Sequence, residues 1–193
     1  MNVKITKKDY FKFKLLIMET KTIRENFEKT ANLWIKDLDK YTEDEFKIKP
    51  ADDAWSLGQV YQHITKSAMF FQFARIKECI SSDEHASEPM SERTIGIYKM
   101  GSFPPMEVKV PIEFQPTPAQ PENKEEARTK IKEVIALMSE YATKIDNASH
   151  HGKAQHPALG YLNAIEWFEL IDMHFRHHLR QKEKIEKFIA AGK

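Results

Sequence analysis

The sequence predicts an all-α protein, a four-helix bundle with a long irregular crossover between its second and third helices. Three observations carry that expectation. Apolar residues recur every three or four positions in four separate segments, and two capping-box patterns mark helix starts. Residues 81–122 hold seven of the nine prolines.

The first helix is expected from about Lys21 to Lys40, where Ile23, Phe27, Ala31, Trp34, Ile35 and Leu38 form one apolar stripe. Pro50 then breaks the pattern. The second helix starts at "WSLGQVYQHI", with Ser56 as N-cap and Gln59 three residues on, so that each side chain satisfies an orphan backbone N–H. Trp55 and Val60 stand where a hydrophobic staple would form. The helix should reach about Ile80, with Val60, Ile64, Ser67, Ala68, Phe71 and Ala74 on its inner side.

The crossover over 81–122 is too rich in proline to continue as helix, since proline removes a backbone donor and clashes with the preceding turn. Within it "EVKVPIEF" alternates enough for an extended segment, and a small hairpin there is the most sheet expected. A link of this length lets the second and third helices run parallel. The third helix spans about Lys124 to Ile145, with Ala127, Ile131, Val134, Ile135, Met138, Tyr141 and Ala142 as its stripe. After the polar loop "DNASHHGKAQHPALGYL", Asn163 and Glu166 make a second capping box, flanked by Leu162 and Trp167, and open a fourth helix that should reach about Ala190.

Composition narrows the function classes. At 193 residues the chain suits one domain. Lys+Arg 30 against Asp+Glu 29, with no block of one sign, disfavours nucleic acid and a polybasic membrane arm. Cys79 is the only cysteine, so no intrachain disulfide can form. No secretory apolar core stands at the start, and no run approaches the ~18 apolar residues of a membrane span. A soluble cytoplasmic protein is the expectation.

The histidines of "ELIDMHFRHHLRQKEKI" are the chemistry-bearing feature. On a wheel of ~100° per residue, Trp167, Leu170, Ile171, His174, His178, Gln181, Ile185, Phe188 and Ile189 share one face, and Asp172, Arg176 and Arg180 point away. His174 and His178 thus stand within the apolar stripe with Cβ atoms ~5–6 Å apart, as a hydrogen-bonded core pair or as two ligands of one ion. His63, on the second helix beside Val60 and Ser67, is a third candidate; a partly exposed boundary histidine is the other reading of that position. Three neutral imidazoles from two helices would bind a divalent cation and leave coordination positions open.

His177 falls at the edge of the stripe, while His85, His150 and His151 lie in polar surroundings and read as solvated. His156, in "HPALG", could fold over one end of the bundle. Cys79 lies ~24 Å beyond His63 along the helix axis, too far for the same site. No Gly-rich phosphate loop or G-x-S-x-G elbow is present. His174 is followed by Phe175, which excludes H-E-x-x-H, and Ile171 and Phe175 stand where a di-iron Glu-x-x-His pair would need glutamates.

The Trp-Ser-x-Gly-x-x-x-x-His run at Trp55–His63, together with "HPALGYLNAIEWFELIDMHFRHHLRQ" and its His-x-x-x-His-x-x-Gln, resembles the DinB-like superfamily, which includes YfiT-type metal-dependent hydrolases and thiol-dependent S-transferases. The resemblance implies an up-down-down-up bundle over 19–190, preceded by an extension at 1–18 and carrying the 81–122 link as a variable insert that shapes the pocket. It also implies one divalent ion, nickel, zinc, iron or manganese, held by His63, His174 and His178. Such an ion lowers the pKa of bound water toward ~7 or stabilises a thiolate.

Two enzymatic activities follow from this: S-transfer from a low-molecular-weight thiol cosubstrate to an electrophilic small molecule, or hydrolysis. No residue stands out as general base; Gln59, His177 and Gln181 are candidates to hydrogen-bond the ligands or bound water. The alternative is a non-catalytic metal- or ligand-binding stress-response bundle. Proteins of this kind often form homodimers through helix faces.

Overall fold

The computed structural model describes residues 18–104 and 117–192. Helix α1 covers Thr20–Asp37 and tightens into a 3-10 turn at Leu38–Lys40. A second 3-10 turn, Glu45–Lys47, leads to α2, Leu57–Lys66. The rod continues through a π segment, Ser67–Gln72, into α3, Phe73–Cys79. Then come α4 (Glu92–Met100), α5 (Lys124–Asp146), the strands β1 (Lys153–His156) and β2 (Gly160–Asn163), and α6 (Ala164–Ala190).

Both expected capping boxes form. Ser56 Oγ accepts from Gln59 N at 3.1 Å while Gln59 Oε1 accepts from Ser56 N at 3.0 Å. At the start of α6, Asn163 Oδ1 accepts from Glu166 N at 2.9 Å and Glu166 Oε2 accepts from Asn163 N at 2.7 Å. These reciprocal bonds satisfy helix-end donors and so set where each helix begins, and with it the phase of the α-helical residues that follow directly.

The helices share one apolar core. Helix α6 is its centre, packed by α1, α2, α3 and α5 and by the π segment. Every residue from Glu166 to Met173 is buried. Edge-to-face contacts of Phe27 with Phe175 (5.0 Å) and Trp34 with Tyr61 (4.8 Å) lock α1 against α6 and α2. No helix among the described residues is long and apolar enough to cross a membrane.

The structure departs from the sequence reading in four places. First, Asp172 does not point away from the core: it is 3% exposed and accepts from Thr30 Oγ1 at 2.7 Å and from Arg176 Nε at 2.8 Å. A wheel assumes one wet face, whereas α1 covers the side of α6 on which Asp172 lies. Lys182 is likewise buried and bonds Asp37 and Glu186.

Second, Ala74 is exposed and Phe73 and Gln72 are buried instead. The wider π turn breaks the 3.6-residue phase on which the expected stripe rested. Third, the crossover contains α4. Its prolines cluster outside that stretch: Ser91 caps the helix, accepting from Thr94 N at 3.2 Å, and Gly101, at φ +59°, ends it. Fourth, a hairpin lies between α5 and α6, where the sequence reading has only a polar loop, with Lys153 opposite Asn163 and His156 opposite Gly160. Gly160, at φ +78°, supplies the left-handed conformation its short turn needs. The expected extended segment "EVKVPIEF" lies outside the described residues.

The crossover is tied down at both ends. Tyr98 OH donates to Glu166 O at 2.7 Å and Thr94 Oγ1 to Leu159 O at 2.8 Å, docking α4 on α6 and the hairpin. At the far end Gln59 Nε2 donates to Pro118 O at 2.9 Å and Ser56 Oγ bonds Gln120 Oε1 at 2.5 Å. Gly58 makes that seat: a Cβ there would lie 2.0 Å from Gln120 Nε2.

Candidate metal centre

His63, in the second turn of α2, meets His174 and His178, which lie one turn apart at mid-length on α6. His174 Nε2 is 3.1 Å from His63 Nε2 and 3.0 Å from His178 Nε2. The ring centroids of His63 and His178 are 4.7 Å apart. Among the described residues this is the one cluster of histidine, cysteine or carboxylate groups whose ligand atoms all lie within 4.8 Å of one another.

The rings are neutral at physiological pH. Burial brings His63 down to about 4, with His177 adding to it, and burial together with the neighbouring His63 brings His178 down to about 3. His174 is lowered well below the ordinary imidazole value, by burial first and then by the surrounding histidines. Uncharged imidazole is the form that binds metal.

The donor set fits a cation. Gln181 Oε1 accepts from His178 Nδ1 at 2.8 Å, so that nitrogen carries the proton and Nε2 presents a lone pair to the cluster. A single proton on His174 Nε2 can be aimed well at only one of its two neighbours, and His174 Nδ1 is buried with no partner. One ion between the three nitrogens would satisfy all of them. Nitrogens ~2.0–2.1 Å from a common ion stand ~2.9–3.4 Å apart at right-angled to tetrahedral geometry. The two contacts of His174 fall in that range, and the ligand atoms of all three rings lie within 4.8 Å of one another.

The other nominated residues divide. Gln181 reaches the cluster through His178. Gln59 does not: its side chain is committed to Ser56 N and Pro118 O, where it anchors the crossover. His177 flanks the cluster, its centroid 5.2 Å from His178 and 5.3 Å from Phe103, and its Nδ1 is buried without a partner. His85, His150 and His151 are exposed. Cys79 is buried against Leu162 O and its thiol is pushed up to about 12 by burial, which makes it inert.

Two neighbours of the cluster, and one buried carboxyl elsewhere on α6, escaped sequence reasoning. Trp55 packs its ring 5.0 Å from His63. Phe103, just beyond α4, covers His177, and no local pattern marks it. Glu169, buried one turn past the α6 capping box, is raised to about 7 by burial, with Asp172 and Glu166 adding to it and Arg176 opposing. A wheel that treats one face as wet cannot identify such a carboxyl.

Replacing Gln181 with leucine, which keeps the volume and removes the acceptor, is expected to weaken zinc affinity about 10- to 100-fold. Competition with a chromogenic chelator measures it, and an unchanged affinity would show that the His178 tautomer needs no help from Gln181.

The described fold is similar to that of YfiT from Bacillus subtilis, described as a probable metal-dependent hydrolase with an unusual four-helix bundle topology. The TM-score is 0.57 at 12% sequence identity, over 98% of this chain and 93% of that one. No curated protein matches the chain at the sequence level. A family model described as DinB superfamily matches residues 25–181, which spans all three histidines, and the chain therefore belongs to the DinB superfamily.

Proposed function

We propose that this chain is a metal-dependent enzyme in which His63, His174 and His178 hold one divalent ion, nickel, zinc, iron or manganese, and act on a small molecule. The observation that carries the proposal is the convergence of three uncharged Nε2 atoms, with no anionic group in the cluster to partner them. Bound there, the ion supplies Lewis acidity that favours the deprotonated form of water or of a low-molecular-weight thiol.

The protein's own groups do the rest. Gln181 holds the proton on His178 Nδ1. Trp55 walls the His63 side, and Phe103 the His177 side. Both walls limit water around the imidazoles, where a low local dielectric strengthens polar interactions. The seating of Phe103 supports the crossover as the element that shapes the pocket. The domain is taken as 19–190, an up-down-down-up bundle preceded by an extension.

Thiol S-transfer is the first reading and hydrolysis the second, the latter favoured by the described activity of YfiT. Bacillithiol, mycothiol and glutathione are each assayed with an electrophile such as monochlorobimane, using zinc-, nickel-, iron- and manganese-loaded protein. At least one pairing is expected to run faster with wild type than with His174→Ala, whose rate should equal the uncatalysed one. Equal rates for the two proteins with every thiol, alongside metal-dependent cleavage of an ester or amide, would replace transfer by hydrolysis. Absence of both activities from metal-loaded protein would leave a non-catalytic binding module.

A further inference from the structure

His156 lies outside the histidine triad and has an unusual setting. The β1–β2 hairpin carries it to the seam between the α2–α3 rod and α6, where its ring centroid is 6.1 Å from Phe71 and 5.3 Å from Trp167. Phe71 and Trp167 themselves meet at 5.4 Å, so the imidazole completes an aromatic cluster. Phe71 belongs to the same rod as His63, and Trp167 precedes His174 by two turns of α6, roughly 10 Å.

The hairpin also settles the tautomer. His156 Nδ1 accepts two backbone N–H groups, from Ala158 at 3.0 Å and Leu159 at 3.2 Å. Both are donors, so Nδ1 holds a lone pair and the ring proton is on Nε2. Burial brings the imidazole down to about 4, which keeps it neutral at physiological pH. Nε2 has no hydrogen-bond partner among the described residues and is not one of the fully buried orphan atoms; it is an unspent donor on a partly exposed ring. Its edge is opposite the one held by the hairpin turn, so it faces away from that turn.

We infer that His156 is a substrate-recognition residue: its Nε2–H donates to a carbonyl or carboxylate oxygen of an elongated small molecule whose other end reacts at the triad. The inference rests on the reading of the triad as a metal site. A neutral, preoriented donor set among aromatic rings selects an sp2 oxygen at the end of an apolar or aromatic body, and it does so without attracting cations or demanding charge. A substrate lacking that oxygen would leave the donor unpaired as it is desolvated, which is the origin of selectivity at such positions.

The test uses zinc-loaded protein and two linear aliphatic hydroxamates, one ending in a primary amide and one of equal length ending in methyl. The hydroxamate group ligates zinc, and the two tails differ in the oxygen. By titration calorimetry, the preference for the amide tail over the methyl tail is expected to be about 10-fold greater in wild type than in His156→Phe. Methyl-tail affinity and zinc content should be the same in both proteins. In a 15N-histidine spectrum of wild type, the His156 Nε2–H resonance should move with the amide-tailed probe and not with the other, which requires no variant.

His156→Gln, which retains an N–H donor, should recover part of the preference. Equal tail preference in wild type and His156→Phe, or a His156 resonance that ignores the tail, overturns the assignment and leaves the triad untouched. Failure of wild type to retain zinc overturns the triad reading, and the inference with it.

Discussion

Alanine at position 174 is expected to lower bound zinc from about one equivalent to below ~0.1 equivalent after gel filtration in zinc-free buffer. His174 is the shared vertex of the cluster, with its Nε2 3.1 Å from that of His63 and 3.0 Å from that of His178. Its removal leaves two imidazoles on different helices, too few to hold a divalent ion against dilution. His174 makes no other hydrogen bond, since its Nδ1 has no partner, so far-UV circular dichroism should be unchanged. His177→Ala is the matched control: that ring packs on Phe103, and its zinc content should stay near one equivalent. Retention of zinc by His174→Ala, or equal loss in both variants, would remove the ligand assignment.

Metal-free protein is expected to lose on the order of 3 kcal/mol of unfolding free energy between about pH 6.5 and pH 4. In the unfolded chain the histidines protonate near the ordinary value of 6.5, whereas in the folded protein His63 does so at about 4 and His178 at about 3. Between those values the unfolded state binds more protons, so stability rises with pH. It is fully present above 6.5 and is lost as pH falls through the folded-state values. Residual solvent contact of His63 reduces its share below the full linkage value.

Glu169 works in the opposite direction: raised to about 7, it favours the folded state at low pH and withdraws that support as pH rises. Three depressed imidazoles outweigh it. Urea midpoints of chelator-treated protein at pH 7 and pH 5 measure the slope, which should flatten in His178→Gln. A midpoint that does not fall toward pH 5 would mean that the rings are more solvated than their burial indicates. Zinc-loaded protein should release its ion over the same acid range, as protons compete for the nitrogens.

Much of this architecture was legible in the sequence because it is written in local chemistry. Both capping boxes and the four helical stretches follow from residues within a few positions of one another, and each is observed. What local chemistry could not show was the surroundings. The π segment at Ser67–Gln72 puts Phe73 rather than Ala74 on the inner face, because its wider turn departs from the constant 3.6 residues per turn that a regular stripe requires. Helix α4 is masked by the proline density of the link as a whole, although Glu92–Met100 contains none. Gln59 was a reasonable neighbour for His63 by spacing, yet its amide went to the crossover.

By itself the sequence determined where the helices start, that His174 and His178 share a face one turn apart, and the family to which the chain belongs. Only the tertiary structure decided that His63 closes on that pair from a second helix, that Asp172 and Glu169 are inside, and that the hairpin carries His156 to the seam beside Trp167. The physical reason is range. Caps and helical periodicity are set by bonds spanning three or four residues, whereas the contact between His63 and His174 joins positions 111 residues apart. Such a contact exists only once the packed core has fixed the separation and rotation of the two helices that carry it.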